Sequence, residues 1–260
     1  MKYRTKFKMI GSREWMNNRH GQLSIKEKFK LINQVLMPAS FAFSKTFLQQ
    51  TPSQTPLELS EFQIPDTALV KEAILELDNC GSFSIINHSW RSYFWAIAIA
   101  KCKTWHIDHE SVLIASLIHD LALVDEKIQN HAQCKCFTYA SALHAEALCQ
   151  KHDYPQDKTE NISNAICLHM NGYLDEHDTS LSKEVLILQK ATACDVIGTD
   201  LGMLQTSYRD EVLAQYPRAQ FNDVMRTLIK REAKRNPKSR TALMSASGLS
   251  TMIKMNIFKE

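Results

Sequence analysis

Ile86-Asn87-His88-Ser89-Trp90-Arg91-Ser92-Tyr93-Phe94-Trp95-Ala96-Ile97-Ala98-Ile99-Ala100-Lys101-Cys102 is the stretch that decides the fold. It runs from residue 86 to 102 without glycine or proline, and apolar side chains fall on almost every face of a 3.6-residue winding. A helix that is apolar all round has to be buried, so this one is expected at the centre of a helical core. Its longest apolar run, Tyr93 to Ala100, is far too short to span a bilayer.

Working outward, the same period recurs. Pro65-Asp66-Thr67 opens a helix with Asp66 as its N-cap and Leu69, Ala73 and Leu77 on one face. Further helices are expected over about Ser111–Leu123 and Phe137–Lys151, from after Thr159 to Gly172, and from after Ser182 to about Ile197, before Gly198. Two or three more fill 208–256, punctuated by Pro217 and Pro237. The chain has only seven glycines and lacks the Asn-Gly hairpin pattern between alternating apolar residues; Asn171-Gly172 follows a helical pattern and reads as a helix stop. The fold class is all-α, without internal repeats. Residues 49–56, Gln-Gln-Thr-Pro-Ser-Gln-Thr-Pro, read as a linker. They divide a basic extension, 1–56 with the linker, from a helical body over 57–260. The extension is too short for a core of its own and is expected to dock on the body or fray.

The chain has 260 residues, 44% hydrophobic and 23% charged, which excludes a disordered or fibrous protein. Net charge is +3 but unevenly spread: +7 over residues 1–30, +6 over 226–240 and −11 over 31–225. Basic ends can attract nucleic acid or anionic lipid. No nucleic-acid signature accompanies them here, so they read as solvated and no nucleic-acid partner is expected. The start has charge but no apolar h-region. The seven cysteines form an odd set, and Cys134-Lys135-Cys136 lacks the two-residue spacing of a zinc knuckle or redox motif. Reduced thiols and a cytoplasmic location are expected, and the sequence is compatible with a homo-oligomer.

Three apolar segments carry metal-capable side chains: His88 with Arg91, His119-Asp120, and Asp195. Burying a carboxylate without a cation or strong donors is costly. Two imidazoles and two carboxylates suit a divalent metal, and facing helices are a known way to gather such ligands. Taken singly, each has a bland reading: His88 as a hydrogen-bonded core histidine, His119-Asp120 as an ion pair, Asp195 as a helix cap.

The ordered set resembles the H…HD…D signature of the HD superfamily of metal-dependent all-α enzymes, with 31 residues from His88 to His119 and 75 from Asp120 to Asp195. His88-Ser89-Trp90-Arg91-Ser92-Tyr93 is similar to the H-S-x-R-x-Y opening of the cyanamide hydratase-like branch. Leu117-Ile118-His119-Asp120 is similar to its LLHD helix. Similar again are Ala165-Ile166-Cys167-Leu168-His169-Met170, Ala193-Cys194-Asp195-Val196, Tyr216-Pro217-Arg218 and Asn236-Pro237. The likeness covers roughly residues 62–258. It implies that His88, His119, Asp120 and Asp195 hold one divalent metal (zinc, iron or manganese), which lowers the pKa of water and polarises a substrate.

The same resemblance makes His169 a substrate donor, a general acid/base or a further ligand; the alternative is a helix-end histidine facing the C-terminal dipole. Arg91 either holds an anionic substrate group or pairs with Asp120 or another acid. Asp120 would take part in catalysis as well as hold the metal. Lys190 is a weaker candidate, and His144 would join a second metal only if it points inward. Two positions depart from the pattern. Ala122 stands where many members carry glycine, and Thr138 follows Phe137 where the branch often carries glutamate.

The function implied is a metal-dependent hydrolase or hydro-lyase acting on a small molecule, such as a nitrile. Alternatives are a phosphohydrolase acting on a nucleotide or other phosphomonoester, with Arg91 on the phosphate, and a non-catalytic HD-fold binding module.

Overall fold

The computed structural model describes residues 9–48, 55–129, 134–258 and 260. Among them, every regular element is helical. Three helices precede the linker: α1 (Arg13–Arg19), α2 (Ile25–Leu31) and α3 (Met37–Lys45), the last two joined by a π-helical turn at Ile32–Leu36. The body follows as α4 (Ala68–Asp78), α5 (Phe83–Cys102), α6 (His109–Ile118), α7 (Leu121–Val124), α8 (Glu126–Gln129), α9 (Phe137–Lys151), α10 (Gln156–Leu168), α11 (Lys183–Ile197), α12 (Thr206–Gln215), α13 (Phe221–Arg235), α14 (Arg240–Ala246) and α15 (Leu249–Lys254). No described helix is long and apolar enough to cross a membrane.

The stretch at 86–102 is the axis, as its composition requires. Helix α5 buries Asn87 through Ala100 without a break and packs against α6, α11 and α13. Helices α9 and α10 lie side by side, and α10 closes on α6 and α11. Helices α9 and α11 have the expected bounds. Ser182 caps α11 by accepting from the Val185 amide at 3.1 Å, and Gly198 ends it at φ 79°, a left-handed conformation that costs glycine little.

Four expectations need correction. Thr67, not Asp66, caps α4: its hydroxyl accepts from the Val70 amide, while Asp66 turns outward to Lys71. Both oxygens suit a cap, so local chemistry alone did not choose. The expected helix 111–123 is broken at His119-Asp120. The Ala122 amide there donates to Ser141 Oγ of α9 at 3.1 Å, a tertiary partner invisible to periodicity. Helix α10 begins directly after Pro155, which acts as a helix start as well as a stop for α9, and it ends at Leu168, ahead of Gly172. The region 206–254 holds four helices, because Ser239 and Gly248 each open a short new one.

The N-terminal helices dock on the body. Trp15, Met16, Leu23 and Leu31 belong to the same buried cluster as the α5 side chains. Arg13 donates to both Glu146 carboxylate oxygens, Nε at 2.6 Å and Nη2 at 2.8 Å. Of the expected linker, residues 49–54 lie outside the described residues. The seven cysteines, all among the described residues, form no disulfide.

Candidate active site

Asp195, fully buried on α11, organises the deepest part of the site. Arg91 grips it with two donors, Nε to Oδ1 at 2.7 Å and Nη2 to Oδ2 at 2.8 Å. Trp95 Nε1 donates to Oδ1 at 2.8 Å, and His88 Nδ1 meets Oδ2 at 2.7 Å. His88, Arg91 and Trp95 lie on one face of α5 at spacings of three and four, so a single helix presents all three. Burial works against the Asp195 charge, but the Arg91 guanidinium, the His88 hydrogen bond and nearby Arg218 hold its carboxyl well below the usual range.

The tautomers of three histidines follow from their partners. A carboxylate accepts, so His88 Nδ1 carries the hydrogen. His119 and His169 occupy the same position on different helices, the C-caps of α6 and α10. Each turns its Nδ1 to the carbonyl three residues back: His119 to Ser116 O at 2.8 Å, His169 to Ile166 O at 2.7 Å. A carbonyl only accepts, so in both rings Nδ1 donates and the Nε2 lone pair faces away.

Those lone pairs converge. His88 Nε2 lies 3.1 Å from His119 Nε2, and Asp120 Oδ2 is 3.5 Å from the first and 3.3 Å from the second. His169 Nε2 is 3.4 Å from Asp120 Oδ1. All four residues are buried. No Lys or Arg among the described residues forms an ion pair with Asp120; it faces imidazoles. Such a set needs positive charge within it, supplied by a shared proton or by a metal ion. The pKa directions say the same. Burial alone would raise the Asp120 carboxyl, yet His119 and His169 hold it well below the usual range. Burial alone would lower His119, yet Asp120 raises it. Burial dominates at His169, pushing it down to about 4, and at His88, which is also lowered.

His88, His119 and Asp120 thus form a buried group able to hold a metal ion, with one donor atom from each within 4.8 Å of the others. Their donor chemistry, imidazole nitrogen and carboxylate oxygen, fits a divalent ion of the zinc, iron or manganese type. Two of the expected residues, Asp195 and Arg91, pair with each other behind the cluster. Asp195 sits behind His88, its carboxylate oxygens occupied by Arg91, Trp95 and His88. Arg91 is fully buried, and its remaining nitrogen, Nη1, donates to the carbonyls of Tyr216 and Pro217 at 3.1 and 3.0 Å. Of the alternatives for Arg91, pairing with Asp120 or another acid is the one made, with Asp195 as the acid.

The cluster forms the floor of a cavity of about 60 Å³. His88, His119, Asp120 and His169 line it, and its walls include Phe137, Met170, Val196, Met225, Ile229 and Met244. Phe221 of α13 stacks on the His88 ring, centroids 4.6 Å apart, and underlies the Arg91 and Arg218 guanidiniums.

Over 160 residues the chain is 25% identical to two cyanamide hydratases of Saccharomyces cerevisiae, DDI2 and DDI3. Each match covers 61% of this chain and 69% of the relative. No protein-family model matches the chain. The relationship is distant and supports an enzyme of the broad hydratase or hydrolase class.

The other candidates lie apart from the cluster. His144 points to α4, where Nε2 meets Glu76 Oε2 at 2.5 Å. Lys190 Nζ reaches Asp200 at 3.4 Å and Glu176 at 3.5 Å. Thr138 accepts from Arg240 Nη2 at 2.9 Å, and Arg240, fully buried, also donates to Asn171 and to the Cys167 carbonyl. Sequence reasoning missed Trp95, although its spacing of seven from His88 placed it on the same face. It also missed Asn256, which donates to the Asp195 carbonyl at 2.8 Å; nothing local in the sequence marks that contact.

Proposed function

We propose that this chain is a metal-dependent hydratase of the HD superfamily, in its cyanamide hydratase-like branch, acting on a small nitrile-type molecule. The observation that carries the reading is the convergence of three imidazole Nε2 lone pairs and the Asp120 carboxylate on the floor of a small cavity. His88, His119 and Asp120 hold the ion in this reading. Asp195 serves the site through His88, fixing its tautomer and aim, as carboxylates behind metal-binding histidines do. Arg91 and Trp95 hold Asp195 in turn. When bound, a divalent ion supplies Lewis acidity, which lowers the pKa of water and polarises the electrophile.

The chain's own residues supply the rest. His169 Nε2, neutral at physiological pH and facing the floor, takes the proton from the attacking water. A carbon–oxygen bond forms, one carbon–nitrogen π bond breaks, and the proton passes from His169 to the nitrogen, giving an imidic acid, which becomes the amide when its hydroxyl proton moves to the same nitrogen. The apolar walls keep bulk water from competing for these groups.

A phosphomonoester finds little support. Among the described residues no Lys or Arg lines the cavity, and Arg91 is committed to Asp195. The deciding experiment incubates metal-analysed protein with cyanamide and with a panel of phosphomonoesters. Urea from cyanamide, lost in His169→Gln, upholds the reading. Phosphate release with no hydration of any nitrile-type compound rejects it.

A further inference from the structure

The cavity has more to it than its floor. Among the described residues, Asp120 is the only ionisable group on its surface apart from the three histidines. Two further polar side chains line it, Gln189 and Thr192. The Thr192 hydroxyl is spent within its own helix, on the carbonyls of Leu188 at 2.9 Å and Gln189 at 3.1 Å. The Gln189 amide faces the Gly172 carbonyl at 3.4 Å. The remaining wall is apolar, and three of its members are methionines, Met170, Met225 and Met244, side chains that adapt to the shape placed against them.

Size sets a second limit. One ordered water needs roughly 10–15 Å³ of such space. A cavity of about 60 Å³ therefore takes about four to six water-sized atoms. Cyanamide has only three heavy atoms, so together with the attacking water it leaves up to about two water-sized positions along the apolar wall, while a nucleotide exceeds the cavity several times over.

We propose that the substrate is a nitrile-type molecule with a short uncharged apolar substituent, about one or two heavy atoms beyond the reacting N–C–N or C–C–N unit. The proposal rests on the hydratase reading for the reacting end and on the cavity wall for the substituent. The unit sits at the floor, and the substituent meets the Met170, Met225, Met244 and Ile229 side chains. A charged substituent would lie against that wall with no partner.

The test is a series of cyanamide and its methyl, ethyl, n-propyl, n-hexyl and carboxymethyl derivatives, presented to metal-analysed protein. Dissociation constants are read by ligand-observed NMR, separately from turnover. Burying one methylene is expected to tighten binding about fourfold, so affinity climbs by that step through about two carbons. It then falls at least about tenfold at hexyl, and the carboxymethyl compound gains nothing over cyanamide. Met225→Ala, whose folding is checked by circular dichroism, moves the fall to a longer chain. A flat series, a loss at the first methyl, or tightest binding of the carboxymethyl compound would overturn the proposal. The climb and fall in binding without turnover would uphold the substituent and reject the hydratase reading. Turnover of cyanamide with a flat series would do the reverse.

Discussion

Replacing Asp195 with asparagine tests whether this residue positions His88 or binds the ion itself. The carboxylate takes two donors from Arg91 at 2.7 and 2.8 Å, one from Trp95 at 2.8 Å and one from His88 at 2.7 Å, and both Arg91 and Asp195 are fully buried. In Asp195→Asn the pair loses its negative member, and the new amide NH₂ is turned onto groups that also donate. Breaking a buried ion pair from one side costs about 3–5 kcal/mol. For a chain of this length, about 2–4 °C per kcal/mol gives a fall in melting temperature of about 10 °C. The metal-free variant should show that fall in a calorimetric scan. Its metal affinity, by competition with a chelating dye, should drop about 10- to 100-fold, the usual effect of losing a group that orients a ligand. Asp120→Asn should show the opposite balance, because no arginine depends on Asp120: metal retention is abolished with a smaller loss of metal-free stability. If Asp195→Asn instead loses all metal while its metal-free melting point stays within about 2 °C of the parent, Asp195 is a ligand and the positioning argument is wrong.

Three further outcomes are expected. His169 is pushed down to about 4 in the folded chain against about 6.5 when unfolded. Its stabilising share is therefore complete above pH 6.5 and lost as pH falls toward 4, about 3 kcal/mol in all. His119, raised by Asp120, works in the opposite direction, so urea titrations of metal-free protein should be compared with His169→Gln, which should lack this component; identical slopes in both would contradict it. Trp95→Phe keeps most of the ring but deletes the indole donor to Asp195, and should cost about 1.5–3 kcal/mol in denaturant unfolding, the range for a bond to a charged group. Gly11→Ala should destabilise by at least about 1–3 kcal/mol, since Gly11 has φ +95° and a Cβ there meets the Arg240 guanidinium; an unchanged melting curve would refute the packing described for Arg240.

The sequence carried much of the fold because its signals were local and strong. The apolar run of α5 could only be central, and Ser182 with Gly198 marked the limits of α11 by cap chemistry alone. Where the reading failed, the deciding contact was distant in the chain. The break at His119-Asp120 depends on Ser141, and nothing near residue 120 announces it. The candidate site divides in the same way. Residue types and their order singled out His88, His119, Asp120 and Asp195, and the family resemblance added His169. Their division of labour depends on which Asp195 oxygen meets which donor, and those donors come from α5, 100 or more residues earlier in the chain. The apolar wall of the cavity was legible only as ordinary core, since Met225 and Met244 have the same spacing whether they face a neighbour or an empty space.

Elemental analysis of the protein purified without chelator, beside His119→Ala, tests the central claim most directly. The account predicts about one divalent ion per chain in the parent and none in the variant, with the variant still helical by circular dichroism. A parent that binds no zinc, iron or manganese even after reconstitution would contradict it.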